Sequence, residues 1–123
     1  MSAPTILIVE DEPFLREAFR LMLEDSDYSV LEAGTGQEGI TIARTHHPDL
    51  MLLDMGLPDM NGLDVAREIK GDAATSTIVL VALTGSVGKQ EKEACIEAGC
   101  AAYFPKPFSP KEFLRRIPEL LGK

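Results

Sequence analysis

Two stretches of the chain are apolar without interruption. Leu50, Met51, Leu52 and Leu53 lead from Asp49 into Asp54 before Gly56 and Pro58 break the run, and Ile78 to Leu83, after Thr77, leads in the same way into Thr84 and Gly85. A run of this length bounded by turn residues reads as a strand buried on both faces. Thr5 to Val9 is a third β-rich run and stops abruptly at Glu10, Asp11, Glu12 and Pro13. Tyr28 to Ala33 and Ala101 to Pro105 complete a predicted set of five strands. Between them the apolar period lengthens. Phe14, Leu15, Ala18, Phe19, Met22 and Leu23 recur at helical spacing after Pro13, with Arg16, Glu17 and Arg20 on the polar side, predicting a first helix to about Glu24. A second helix spans Gly36 to about Thr45 and is capped in solvent by His46, His47 and Pro48. A third runs from about Leu63 to Lys70, with Gly71 to Ser76 as loop, and a fourth from Lys89 to Ala98, closed by Gly99 in the left-handed C′ position. The last begins at Pro110 and turns Phe113, Leu114, Ile117, Leu120 and Leu121 inward; Pro118 is expected to kink it or end its regular part.

Five alternations of strand and helix predict an α/β fold, a doubly wound parallel sheet with helices on both faces. In the flavodoxin-like strand order 2-1-3-4-5, the first and third strands adjoin at the topological switch point, where such folds bind ligands outside the carboxyl ends of their strands. Asp11 and Asp54 then become neighbours, with Thr84 and Lys106 at the ends of the next strands. Four strands each deliver a polar residue to one rim.

At 123 residues the chain reads as a single domain over 1–123, long enough for one core but not for a second module. The net charge of −8, from 12 basic against 20 acidic residues, argues against a direct nucleic-acid surface, which needs clustered Lys and Arg. The apolar runs are shorter than a membrane span of about 20 residues, and the start lacks the positive flank of a signal peptide, so a cytoplasmic location is expected. Cys95 and Cys100 read as reduced core thiols.

Glu10, Asp11 and Asp54 converging in a crevice repel one another, so they must hold protons or share a cation. Mg²⁺ suits such a set, because it takes one or two carboxylates and keeps other positions for water and phosphate. Asp54 could then attack a phosphorus, with the Lys106 ammonium meeting the phosphoryl oxygens and the Thr84 hydroxyl donating to one of them.

This set of residues resembles the receiver domain of two-component response regulators, of the chemotaxis-regulator kind. The likeness rests on Glu10 and Asp11, Asp54 followed by Pro58 and Gly62, Thr84, and Lys106-Pro107-Phe108 with Tyr103 just upstream, and it covers essentially the whole chain. It implies Asp54 as phosphoacceptor, a Mg²⁺ site of Glu10, Asp11, Asp54 and the Gly56 backbone carbonyl, Thr84 and Tyr103 as a switch pair, Lys106 as phosphate clamp, and a cis Lys106–Pro107 bond. The implied partners are a histidine kinase or histidine phosphotransfer protein, and an effector docking on the face of the fourth helix, fifth strand and fifth helix. A phosphorylation-dependent homodimer on that face is also allowed. By this likeness the chain is a switch rather than a turnover enzyme. Glu10 departs from the pattern, since Asp is commoner there, and Gly85 replaces a usual Ala. A rival remains in Gly34, Gly36 and Gly39, a G-x-G-x-x-G that follows a strand and opens a helix as a dinucleotide fingerprint does.

Overall fold

The computed structural model describes residues 3–85, 89–105 and 110–122. Its elements alternate as β1 (Thr5–Val9), α1 (Pro13–Asp25), β2 (Ser29–Ala33), α2 (Gly36–His46), β3 (Leu50–Asp54), α3 (Gly62–Gly71), β4 (Val79–Thr84), α4 (Lys89–Glu97), β5 (Ala102–Pro105) and α5 (Pro110–Leu120). Among the described residues the five strands form one sheet in the order β2-β1-β3-β4-β5, every pair parallel. The fold is α/β, doubly wound and flavodoxin-like, as the alternation of patterns predicts.

Side chains alternate across the sheet even where a strand is apolar throughout. Leu7, Val9, Met51, Leu53, Leu80 and Ala82 face one layer and pack on Ile40 and Ala43 of α2, Val65 and Ile69 of α3, Cys95 of α4 and Ala98 just past its end. Ile6, Ile8, Leu50, Leu52, Val81 and Leu83 face the other, against Phe19 and Leu23 of α1 and Phe113 and Ile117 of α5. In that layer Phe113 stands edge-on to Phe19 at 5.6 Å and to Phe104 at 6.4 Å. Each fully buried aliphatic or aromatic side chain contributes roughly 1.5–3 kcal/mol, so the two layers clamp β3, buried along its whole length, from both sides.

The ends of the elements have local causes. Glu12 caps α1, its carboxylate accepting the Phe14 N–H at 3.0 Å, and Pro13 fills the first helical position. His46 is the last residue of α2 and His47 its cap, with φ 50°. Gly99 has φ 102°, and the Cys100 N–H returns to the Cys95 carbonyl at 3.0 Å, the Schellman closure expected of a C′ glycine. β4 starts at Val79 rather than Thr77. Just before it the Lys70 ammonium reaches over from α3 and donates to the Ser76 and Ile78 carbonyls at 2.9 and 2.6 Å. α5 continues through Pro118 to Leu120, so the proline does not end it. It lies in the last turn, where its missing N–H costs a single bond and Leu121 still closes on Ile117 at 2.9 Å. Cys95 and Cys100 are free and buried, and burial pushes the Cys100 thiol up to about 12.

Candidate functional site

Because β1 and β3 are neighbours, with Val9 opposite Leu53, the residues just past their ends meet. Glu10 extends the ladder by one step, its N–H donating to the Ala33 carbonyl at 3.0 Å, and Asp54 closes β3 opposite Leu83. Both carboxyl residues are 1 % exposed, whereas Asp11 points into solvent. One carboxylate oxygen from each of Glu10, Asp11 and Asp54 lies within 4.8 Å of the other two. The backbone around them is braced. Asp54 Oδ1 accepts the Gly56 N–H at 2.9 Å, and Glu10 Oε2 accepts the Glu12 N–H at 3.2 Å. From α1, Arg16 donates to the Glu10 carbonyl at 2.8 Å and pairs with Glu32 of β2 at 3.2 Å.

Burial, then the hydrogen bond and negative charge of Asp54, push the Glu10 carboxyl up to about 8, against the Glu12 amide that favours its charged form. Two acids are thus held where they cannot both ionise cheaply.

Thr84 is buried at the end of β4. Ala82 pairs with Tyr103 and Thr84 with Pro105, so by strand alternation Thr84 and half-buried Tyr103 share one face of the sheet. A cleft of about 430 Å³ opens beside Gly56 and Thr84, between the first turns of α3 and α4, walled by Met55, Leu63, Ala94 and Cys95. A Cβ on Gly85 would meet nothing within 4 Å, so that side of the rim is open. Of the residues singled out in the sequence, Glu10, Asp11, Asp54, Gly56 and Thr84 converge here, with Tyr103 one strand over. Lys106 and the Lys106–Pro107 bond lie outside the described residues, as do Ser86 to Gly88.

The dinucleotide reading of Gly34, Gly36 and Gly39 does not survive. The amides that would cradle a pyrophosphate are already bonded within the chain: Gly36 and Gln37 donate to the Asp59 carboxylate at 2.7 and 3.0 Å, and Glu38 to Thr35 Oγ1 at 3.1 Å. The glycines serve packing instead. A Cβ on Gly39 would stand 2.8 Å from Val9, and one on Gly36 2.9 Å from Val65. β2 is also the edge of the sheet, away from the switch point.

Two residues that shape the rim escaped the sequence reading. Arg16 looked like one more polar position on α1, and Asp59 like loop. Neither leaves a local mark, because each partner lies on another element.

The model of the response regulator receiver domain matches residues 6–118. The chain belongs to this family. It is 36% identical over 118 residues to the polar-differentiation response regulator DivK of Brucella ovis, covering 96% of each chain. Among solved structures the receiver domain is similar to the non-phosphorylated HemR receiver domain of Leptospira biflexa, at 38% identity and TM-score 0.88 over 98% of this chain and 95% of that one. It is similar too, at 29% identity and TM-score 0.88 over 99% and 100%, to the receiver domain of a sensor histidine kinase from Pseudomonas aeruginosa with a magnesium ion coordinated in the active site cleft. Receiver domains are the phosphoacceptor switches of two-component signalling, standing between histidine kinases and effectors. Among the described residues no helix is long and apolar enough to cross a membrane.

Proposed function

We propose that Asp54 accepts a phosphoryl group from a histidine kinase or histidine phosphotransfer protein, and that Thr84 and Tyr103 convert the added charge into a changed docking surface. The observation that carries this reading is the convergence of Glu10, Asp11 and Asp54 within 4.8 Å at the end of a parallel sheet. Such a cluster of carboxylates is self-repelling, and burial, together with the neighbouring Asp54, raises the Glu10 carboxyl. Oxygen donors of this number and charge fit a hard divalent cation. Glu10, Asp11, Asp54 and the Gly56 carbonyl would hold Mg²⁺, which when bound supplies positive charge that offsets the acids and attracts phosphate oxygens.

An Asp54 carboxylate oxygen attacks the phosphorus; the donor's P–N bond breaks and its electron pair leaves with the imidazole, giving an acyl phosphate. The hydrogen bond from Gly56 to Asp54 Oδ1 orients the nucleophile. Lys106, at the carboxyl side of β5, clamps the phosphoryl oxygens as a point charge. Thr84, one strand away, donates its hydroxyl to the new oxyanion, and Tyr103 on the same face follows into the space it leaves. The face of α4, β5 and α5 then presents a different surface to an effector or to a second copy of the chain. The protein works in the cytoplasm as a switch and assists only its own phosphorylation and dephosphorylation.

Treatment with an acyl phosphate and Mg²⁺, followed by mass spectrometry and gel filtration, tests the assignment. The parent should gain one phosphoryl group, and Asp54→Asn should gain none. Full labelling of Asp54→Asn would refute it.

A further inference from the structure

We propose that Lys92 is a positioning residue for the switch: its ammonium, lying over Tyr103, holds that ring at the surface and so favours the unphosphorylated arrangement. This rests on the Thr84–Tyr103 reading given above.

Tyr103 and Phe104 are consecutive on β5 and therefore face opposite layers, and each ring carries a cation. Lys92 Nζ of α4 stands 5.8 Å from the Tyr103 centroid, and Arg116 Cζ of α5 stands 5.4 Å from that of Phe104. The two rings are held very differently. Phe104 is buried and locked edge-on against Phe113 at 6.4 Å, so its cation covers a ring that has nowhere to go. Tyr103 is only half-buried, flanking a core to which α4 contributes Cys95 as a buried member, with Ala98 just past the helix end. The rest of that helix is largely polar, and Ile96 is 56 % exposed. Apolar contact thus grips Tyr103 loosely, which gives the directional attraction of an ammonium for a ring face more weight in setting its position.

Tyr103 shares its face with Thr84, and in the arrangement we infer, movement of the ring toward Thr84 gives up the contact with Lys92 that it makes at 5.8 Å. A contact made in one of two arrangements biases their equilibrium by its own worth, and it opposes by the same factor any ligand that selects the other. For a cation over an exposed ring that factor is about two- to fivefold. Lys92 is solvent-exposed, so replacing it opens no cavity.

Beryllium fluoride with Mg²⁺, a stable mimic of an aspartyl phosphate, tests the inference. The chain has two tyrosines, Tyr28 and Tyr103, so ring-labelled tyrosine gives two sets of NMR signals that Tyr28→Phe assigns. Lys92→Met should bind the mimic about two- to fivefold more tightly than the parent. Without the mimic, its Tyr103 signals should already be displaced toward those of the mimic-saturated parent. Lys92→Arg, which keeps a cation over the ring, should restore both properties. If Lys92→Met leaves the Tyr103 signals and the affinity unchanged while the parent's Tyr103 responds to the mimic, the Lys92 inference fails and the switch reading stands. If the parent's Tyr103 ignores a mimic that binds, the switch reading fails and takes the inference with it.

Discussion

The ends of β1 and β2 look alike in the sequence and differ in chemistry. Each is a strand that gives way to polar or glycine residues and then to a helix. After β2 the first amides of α2 are taken by the Asp59 carboxylate, at 2.7 and 3.0 Å, and the glycines close helix onto strand. After β1 the reverse holds, because Glu10 and Asp11 are set beside a further acid on β3, within 4.8 Å. One end binds its carboxylate to backbone amides of the chain; the other gathers three carboxylates in one place. The comparison teaches that a polar strand end becomes a candidate site when the fold gathers like-charged groups from separate strands there, whatever motif it spells.

Substitutions at the two ends should therefore part company. Asp54→Asn gives the largest effect, complete loss of phosphoryl incorporation in a chain that still folds. Gly39→Ala should act on the fold alone: its Cβ would press on buried Val9 at 2.8 Å, an overpacking that costs about 1–3 kcal/mol in denaturant unfolding. Labelling of the folded fraction should stay at the parental level. Glu10→Gln carries the opposite sign. Above the ordinary Glu value of 4.5 the folded chain must take up a proton at Glu10 or bury its charge, a cost that Gln does not carry, so at neutral pH the metal-free variant should be more stable than the parent, while Mg²⁺ binds more weakly by titration. A Glu10→Gln chain less stable than its parent would mean the acids at the rim are already balanced. The smallest effect belongs to Asp59→Asn. The Gly36 and Gln37 amides hold the Asp59 carboxyl below its ordinary value of 3.8, so its support is present above that pH and fades as pH falls through the lowered value. Asp59→Asn should lower Tm slightly at neutral pH and flatten the acid limb of the stability curve, leaving the response to Mg²⁺ unchanged.

Much of this was legible in the order of residues. Apolar runs that ended in Asp54 and Thr84 disclosed two buried strands with polar tips, and Pro13, His47 and Gly99 marked helix ends by backbone chemistry alone. Contacts across elements were not legible. β4 begins two residues later than the apolar pattern predicts, and just before it the Lys70 side chain takes the carbonyl of Ile78, which that pattern had assigned to the strand, and of Ser76 in the preceding loop. Pro118 is tolerated because it falls in the last turn of α5, and the length of that turn is set by packing against α1 and the sheet rather than by the proline.

Composition and periodicity by themselves determined the class of fold, the parallel sheet and, among the described residues, the polar groups Glu10, Asp11, Asp54 and Thr84 at its rim, since those depend on which residues are apolar and at what spacing. Only the tertiary structure decided which strand end gathered three carboxylates. That depends on Asp59 reaching α2, Arg16 reaching the Glu10 carbonyl and Asp54 crowding Glu10, and such distances between separate elements are fixed by packing and leave no trace in local pattern.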